Sequence, residues 1–230
     1  MYKILAKLPF RSNNLHYLPS CHSTNETAQQ LLQSDFREGT VVITDDQMSG
    51  KGLAGNKWCS LPGQNLTFSL ILEPSFLLPN EQFYLTVAVS LAIKDALEDL
   101  LPGEIRIKWP NDIYFSNKKM AGLLIENVIR GNSIESCVVG LGLNVNQVEF
   151  PEEFNATSLS LASGTRHDLN ELFNIVLSGI SYYYLKLKNQ DRYLLRDQYH
   201  ESLLGINEKR EFKDAEGIFQ GEILGTDEFG

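Results

Sequence analysis

The spacing of apolar positions along this chain switches between the period of a strand and the period of a helix. Short apolar runs bounded by glycine, proline or polar turns predict strands at 40–44, 66–72, 104–109, 119–128 and 134–145. Apolar residues at helical spacing predict helices over 81–101 and 169–188 and around 194–204. The predicted fold is therefore an α+β domain, with a central mixed or antiparallel sheet flanked by helices.

A shorter helix is predicted after the segment Ser23-Thr24-Asn25, with Thr27 to Gln33 forming its turns. Ser23 and Glu26 match the S-x-x-E capping box, in which each side chain bonds a free backbone N–H at the start of the helix. The start of a helix also offers free N–H groups to a ligand. Capping and binding can therefore coexist in this segment.

The pattern changes past Gly205, where short strands are predicted at 211–213 and 217–224. This change predicts a main domain over residues 1–204 and a small β module over residues 205–230. Because two strands alone are marginally stable, the module is expected to be incomplete.

Charge and composition narrow the classes of function. The formal net charge of -9 argues against a general affinity for nucleic acid, because such binding needs Lys and Arg to neutralise phosphates. No stretch is long enough to span a bilayer and the start lacks a signal peptide, so a cytoplasmic protein without membrane contact is expected. The three cysteines and four histidines lack metal-ligand spacing, so no metal site is predicted among them.

Residues Gly50 to Gly55 spell G-x-G-x-x-G, the dinucleotide fingerprint. That fingerprint requires a helix after its third glycine, whereas Asn65 to Leu72 is β-prone and has no helical start signal. A dinucleotide-binding fold is therefore disfavoured. The loop is predicted instead to cradle a phosphate or carboxylate between two strands, with exposed backbone N–H groups and the charge of Lys51.

Three further segments place polar residues at strand ends. In Lys108-Trp109-Pro110-Asn111-Asp112 a strand delivers a lysine and then breaks at proline, which suits a clamp on a phosphate or carboxylate. For Lys108 alone, a solvated strand-end lysine is the simpler interpretation. Lys119 to Glu126 has small residues that permit close approach of a ligand or of a paired strand. Gly140 to Asn146 sets amide side chains beside glycines, which suits a heterocycle edge and an Asn-rich turn equally.

Taken in order, these segments resemble the biotin protein ligases. The matching segments are Ser23-Thr24-Asn25, Gln47 with the glycine loop to Trp58, Lys108 to Asp112, Lys119 to Glu126, and Gly140 to Asn144. The resemblance covers roughly residues 15–150 strongly and the rest loosely, and KWPND is its most specific element. It implies a catalytic domain similar to the class II aminoacyl-tRNA synthetases, followed by a small SH3-like module.

The resemblance implies a two-step reaction that uses ATP, biotin and Mg²⁺. A biotin carboxylate oxygen attacks the α-phosphorus of ATP, which gives biotinyl-5′-adenylate and pyrophosphate. The amine of a lysine on a biotin carboxyl carrier domain, such as that of acetyl-CoA carboxylase, then attacks the acyl carbon and releases AMP. Fixed cations and backbone N–H groups are expected where these anions meet.

The family pattern also implies roles for individual residues. Biotin would be bound by Ser23, Thr24, Asn25, Gln47, Gly50, Lys51, Gly122 and Leu124. Lys108 and Lys51 would be the catalytic residues that hold the carboxylate and α-phosphate, with Lys108 making the main contact. The nucleotide would be bound by Trp58, Lys108, Asn111 and Asn144, with Asn144 at the adenine edge. Weaker candidates are Asp112, which would orient Lys108 or a metal, together with Leu53 and Lys119.

Two departures from the family pattern stand out. The glycine loop commonly carries two arginines in the family, whereas this chain has Lys51 and Leu53 in their places. One loop charge is absent, which raises the hypothesis that the adenylate escapes more easily. The second departure is the short C-terminal module, because the family usually has a complete small SH3-like barrel.

Alternatives to a biotin ligase remain at this point. A lipoate or octanoate ligase or transferase would share the fold, although KWPND together with the glycine loop favours biotin. A non-catalytic protein that binds biotinyl-adenylate could keep both lysines. The chain begins close to the catalytic domain, so no N-terminal DNA-binding domain and no nucleic-acid partner are expected. Family members often pair through the central sheet, so a homodimer is possible.

Overall fold

A computed structural model describes residues 2–5, 8–10, 14–34, 37–101, 103–189, 191–214, 216–227 and 229–230. The strands in these ranges are β1 (Leu15–Cys21), β2 (Val41–Gln47), β3 (Gly50–Lys51), β4 (Lys57–Trp58), β5 (Leu66–Leu72), β6 (Ile105–Lys108), β7 (Asp112–Phe115), β8 (Lys118–Arg130), β9 (Ser133–Leu143), β10 (Lys209–Lys213) and β11 (Ile218–Glu222). The α-helices are α1 (Thr24–Leu32), α2 (Phe83–Glu98), α3 (Leu159–Ser163), α4 (Leu169–Lys188) and α5 (Arg192–Glu201). Short 3₁₀ turns lie at Leu53–Gly55 and Pro79–Glu81.

The described residues contain one seven-stranded sheet, in the order β1-β2-β5-β9-β8-β7-β6. Only β1 and β2 pair in parallel, and every other neighbouring pair is antiparallel. The sheet is therefore mixed, and the α+β prediction is confirmed. Strand β5 is buried on both faces, as its continuous apolar run indicates.

Helices cover both faces of the sheet. Helix α2 is buried along most of its length and packs with α4 and α5 over the main core. Helix α1 forms a smaller cluster, in which Ala28 packs against Val42, Ile71 and Val138. None of the helices among the described residues is long and apolar enough to cross a membrane.

Several boundaries differ from the predicted ones. The helix predicted over 81–101 begins at Phe83, because 79–81 forms a 3₁₀ turn in which the Glu81 carboxylate accepts from the Leu78 N–H at 2.9 Å. Strand β7 is not among the predicted strands, because the Asn111-Asp112 pair favours a turn, whereas Asp112 opens the strand. The capping box is also wrong, because Ser23 is at the N-cap but its side chain bonds no helix N–H.

The C-terminal residues contain a second, smaller sheet, and the predicted boundary at residue 204 stays a prediction. The Leu204 N–H donates to the carbonyl of Ile107 at 2.8 Å, which ties Leu204 to β6. Three residues later, the Asn207 N–H donates to the carbonyl of Ile223 at 2.9 Å. Strands β10 and β11 pair antiparallel in a separate two-stranded sheet among the described residues. These strands fit a small SH3-like module.

Candidate active site

One cleft brings together most of the residues singled out in the sequence. It is bordered by the start of α1, the loop from β3 to β4, the end of β6 and the middle of β8. The predicted site residues that line it are Ser23, Thr24, Asn25, Gln47, Lys51, Leu53, Trp58, Lys108, Asn111, Asp112, Lys119, Gly122 and Leu124. Gly50 and Asn144 lie beside the cleft and do not line it.

A buried polar network lies at the α1 side of the cleft. The Gln47 Oε1 accepts from the Thr24 backbone N–H at 2.8 Å and from the Thr24 hydroxyl at 3.2 Å. The fully buried Ser69 Oγ lies 2.8 Å from Thr24 Oγ1 and 2.6 Å from Asn25 Oδ1. Because these polar groups are buried and paired with one another, they hold the start of α1 and the end of β2 in fixed positions.

Asn25 extends this network to β8. Its Nδ2 donates to Glu126 Oε2 at 2.7 Å and to the carbonyl of Leu124 at 3.3 Å. Asn25 has space only because residue 140 is glycine, since a Cβ at Gly140 would lie 2.9 Å from Asn25 Cγ. The absence of a side chain at Gly140 therefore leaves room for the Asn25 side chain.

Lys51 of the glycine loop is paired with a carboxylate. Its Nζ lies 2.7 Å from Glu26 Oε1, and both side chains are largely exposed. The hydrogen bond from Lys51 and its charge lower the pKa of Glu26, and the same pairing raises the pKa of Lys51. Glu26, which the sequence indicated as a cap, instead holds the loop lysine at the start of α1.

A second lysine–carboxylate pair lies across the cleft. Lys119 Nζ is 2.7 Å from Asp112 Oδ1 and 5.7 Å from the centroid of the Trp58 ring. Both Lys119 and Asp112 pack over Gly122, where a Cβ would lie 3.2 Å from the Asp112 carboxylate. Asp112 therefore pairs with Lys119 in this structure, and its expected role in orienting Lys108 or a metal stays a prediction.

Lys108 ends β6 and projects into the cleft. Its Nζ lies 3.4 Å from the Tyr114 hydroxyl and 5.3 Å from the centroid of the same ring. Lys108 makes no ion pair with any residue that the structure describes. Lys108 is thus a cation available to an anionic ligand.

Asn111 is held by two hydrogen bonds to Leu123. Its Nδ2 donates to the carbonyl of Leu123, and its own backbone carbonyl accepts from the Leu123 N–H at 3.1 Å.

Trp58 lines both the cleft and a second cavity, and Asn144 lines the second one. The ring lies against Gly142, where a Cβ would come within 2.6 Å of Trp58 Cζ2. The strand pairing of Gly50 with Trp58 leaves no room for a side chain at Gly50 either. In the second cavity, Asn144 Nδ2 donates to the carbonyl of Thr157 at 3.1 Å, while Asn144 Oδ1 is buried without a partner among the described residues.

No group of three or more His, Cys, Asp or Glu side chains within the described ranges could hold a metal ion alone. Asp112 is the carboxylate among the residues lining the cleft. One carboxylate fits a Mg²⁺ ion that is held mainly by substrate phosphates, because Mg²⁺ commonly binds in this way.

Several residues of the site were not found from the sequence. Ser69 and Thr67 lie within the apolar strand β5, and Glu26 was assigned to a cap. The polar residues at alternate positions of β5 could have indicated the site, because a strand that is buried on both faces rarely contains polar side chains without partners. Glu26 offered no comparable signal, since its partner is 25 positions away in a loop.

Comparison with known proteins identifies the family. Residues 17–144 match the model of the Biotin/lipoate A/B protein ligase family. The chain belongs to this family. The resemblance to biotin protein ligases, drawn from five ordered segments, is thereby confirmed.

Individual family members are similar over most of the chain. The bifunctional ligase/repressor BirA of Bacillus spizizenii is 32% identical over 228 residues, which are 97% of this chain and 70% of BirA. The biotin–[acetyl-CoA-carboxylase] ligase of Mycobacterium tuberculosis is 27% identical over 169 residues, covering 72% of this chain and 62% of that protein. The structure of the Aquifex aeolicus biotin protein ligase in complex with biotin and ATP superposes with a TM-score of 0.79 at 32% identity, and covers 94% of this chain and 89% of that one.

Proposed function

We propose that this protein attaches biotin to a lysine of a biotin carboxyl carrier domain, using ATP and a biotinyl-5′-adenylate intermediate. The observation that carries the proposal is the cleft, which sets a buried polar network opposite four lysines, Lys51, Lys57, Lys108 and Lys119. Such a site suits a ligand with a polar head group at one end and anions at the other. A ligase that is 32% identical was solved with biotin and ATP, which supports the same assignment here.

The polar network is the proposed biotin end of the cleft. Thr24, Asn25 and Gln47, with Ser23 beside them, offer donors and acceptors that suit the ureido ring and the start of the valeryl chain. Gly122 and Leu124 would present the backbone of β8 to the ring. The carbonyl of Leu124 already accepts from Asn25 at 3.3 Å, so the two residues would act together.

The lysines are the proposed reaction end. In the first step a biotin carboxylate oxygen forms a bond to the α-phosphorus, and the bond to the pyrophosphate oxygen breaks. Lys108 and Lys51 would hold the carboxylate and α-phosphate, where fixed cations stabilise the charge that develops. In the second step the acceptor lysine nitrogen attacks the acyl carbon, and AMP leaves. Trp58, Asn111 and Asn144 would bind the nucleotide, with Lys119 and Leu53 at its edge.

Mg²⁺ is the cation that ATP would bring to this cleft. Asp112 would hold it from the protein side, because it is the carboxylate that lines the cleft next to the lysines. When bound, the ion would neutralise phosphate charge. Lys119 would have to release Asp112 for that purpose, and it could then pair with a phosphate instead.

Domain organisation and partners follow from the same proposal. The catalytic domain would comprise residues 1–204 and the SH3-like module residues 205–230, which is supported by the change of hydrogen-bond partner between Leu204 and Asn207. The acceptor would be the carrier domain of acetyl-CoA carboxylase or a related carboxylase. A homodimer and a cytoplasmic location remain predictions, and sedimentation of the purified protein tests the first of them.

The test is incubation of the protein with ATP, Mg²⁺, biotin and an apo carrier domain, followed by intact mass of the carrier. A biotin-sized gain is expected, and parallel reactions with lipoate or octanoate should give none. Pyrophosphate release without carrier modification would instead indicate a protein that only makes and keeps the adenylate. Absence of both products would refute the proposal.

Lys108→Ala identifies the main contact, with Lys118→Ala as the matched control. Lys118 is exposed at the start of β8 and does not line the cleft. Loss of a fixed charge that stabilises the transition state should lower the transfer rate by about 10²- to 10³-fold in Lys108→Ala. Equal rates for the two variants would remove the role assigned to Lys108.

A further inference from the structure

The three cysteines of this chain differ in access to solvent. Cys59 is exposed, Cys21 is partly buried and Cys137 is buried. Burial raises the pKa of the Cys137 thiol and, to a smaller extent, that of Cys21. Because the thiolate is the reactive form, buried thiols with raised pKa values react slowly. An electrophile in solution will therefore meet Cys59 first.

Cys59 lines the second cavity, which shares Lys57, Trp58 and Lys119 with the cleft. Its neighbours in that lining include Trp58, Tyr114, Phe150 and Asn144. Asn144 is 3% exposed and its Oδ1 has no partner among the described residues. An acceptor buried in this way is costly unless a ligand N–H meets it. The aromatic side chains suit a flat ring, so the cavity has the character of a heterocycle site.

The surroundings of Cys59 also favour an anionic reagent. Lys57, Lys119 and the carboxylate of Glu153 line the same cavity, and Lys119 is paired with Asp112. Lys57 makes no ion pair within the described part of the chain, so its ammonium group can attract an anion to this cavity. Glutathione disulfide carries net negative charge and is therefore a suitable partner for this thiol.

We propose that Cys59 is a thiol-modification site, and that a group attached to it competes with the ligand of the second cavity. In the step itself, the Cys59 thiolate attacks one sulfur of glutathione disulfide, a new S–S bond forms, the old S–S bond breaks, and one glutathione thiolate leaves. The disulfide is the oxidant, and a reducing thiol reverses the step. The competing ligand is the nucleotide, which rests on the function proposed above.

The proposal is tested on the full chain with biotin present in every sample. Glutathione disulfide is added with and without a non-hydrolysable α,β-methylene ATP analogue, and the modified cysteine is located by peptide mass. Modification is expected at Cys59 before Cys21 and Cys137. With the analogue at ten times its Kd, modification of Cys59 should slow by about tenfold, because ligand and modifier exclude each other.

Two variants complete the design, and each is compared with its own untreated sample. Cys21→Ser should lose binding of the analogue on treatment, as the unaltered protein does, and a reducing thiol should restore it. Cys59→Ser should keep its binding of the analogue after treatment. Equal loss in Cys59→Ser, or unchanged binding by protein modified at Cys59, would overturn the proposal.

These outcomes separate the modification site from the ligase activity. Protection of Cys59 by the analogue in a protein that transfers no biotin would refute the proposed function and leave the modification site standing. Normal biotin transfer by protein fully modified at Cys59 would refute the competition between the attached group and the nucleotide, and would leave the function standing.

Discussion

Gly140→Ala should displace Asn25 and damage the buried polar network of the cleft. A Cβ at position 140 would lie 2.9 Å from Asn25 Cγ, which is closer than real Cβ contacts allow, and 3.1 Å from Asn25 Nδ2, which is a tight contact. Asn25 is 5% exposed and bonded to Glu126, Leu124 and Ser69, so it cannot move without breaking bonds. Overpacking of a well-packed site costs about 1–3 kcal/mol.

The assay is the free energy of unfolding in urea, measured together with the affinity for biotin by calorimetry. Gly140→Ala should lower the free energy of unfolding by that amount and weaken biotin binding. A glycine-to-alanine change in a strand where the new Cβ meets no atom should instead stabilise the protein by about 0.4–1 kcal/mol. The sign of the change thus separates overlap from backbone entropy.

A double-mutant cycle tests whether Asn25 is the cause. In an Asn25→Ala background the overlapping atoms are absent, so adding Gly140→Ala should be neutral or stabilising. The coupling energy between the two positions should then be on the order of 1–3 kcal/mol, within the range seen for residues in contact. Additive costs would refute the reasoning, because they would mean that the alanine is unfavourable for a reason other than Asn25.

Three further predictions concern other parts of the molecule. Gly142→Ala should move the Trp58 ring, which a Cβ would approach within 2.6 Å, and should shift tryptophan fluorescence and weaken nucleotide binding; an unchanged spectrum and affinity would contradict this. Leu53→Arg should reduce escape of biotinyl-adenylate and labelling of off-target lysines, because Leu53 is exposed at the cleft, where family members commonly carry a charge. Equal escape from Leu53→Arg and from the unaltered protein would refute this prediction. Burial and the charge of Arg196 lower the pKa of His200, whose Nε2 accepts from the Thr226 N–H at 3.0 Å. Below the ordinary histidine pKa of about 6.5, His200 therefore binds a proton more readily in the unfolded chain than in the folded one. The Tm should fall as the pH drops from 7 to 5, and it should fall less in His200→Gln.

The elements that match their predicted ranges are those with a long apolar pattern. Strand β5 at Leu66–Leu72 and helix α4 at Leu169–Lys188 match their predicted ranges, because the apolar pattern of each fits only one type of secondary structure. Strand β7 at Asp112–Phe115 was missed, since it has four residues and starts within an Asn-Asp pair typical of turns. Short strands depend on their neighbours in the sheet, and the sequence does not reveal those neighbours.

Site residues that follow the family pattern could be predicted from the sequence, whereas contacts between residues of different elements could not. Lys51, Lys108 and Gly122 line one cleft as the ordered segments implied. The partners of these residues were not predictable: Glu26 beside Lys51 and Tyr114 beside Lys108 come from other elements. The sequence indicated that Asp112 belongs to the site, but only the fold shows that Lys119 is its partner.

The partners of Lys51, Lys108 and Lys119 determine how readily each can meet an anion. Lys51 and Glu26 are 54% and 41% exposed, and exposed pairs of this kind contribute little to stability. A carboxylate or phosphate can therefore replace Glu26 at small cost. Lys119 and Asp112 are less exposed, at 32% and 23%, so their pair is harder to exchange. Lys108 has a tyrosine hydroxyl and no carboxylate among the described residues, so an incoming anion reaches it without displacing a charge. Because Leu53 adds no charge to the loop, the hold on an adenylate would rest on Lys108 first and on Lys51 after it leaves Glu26.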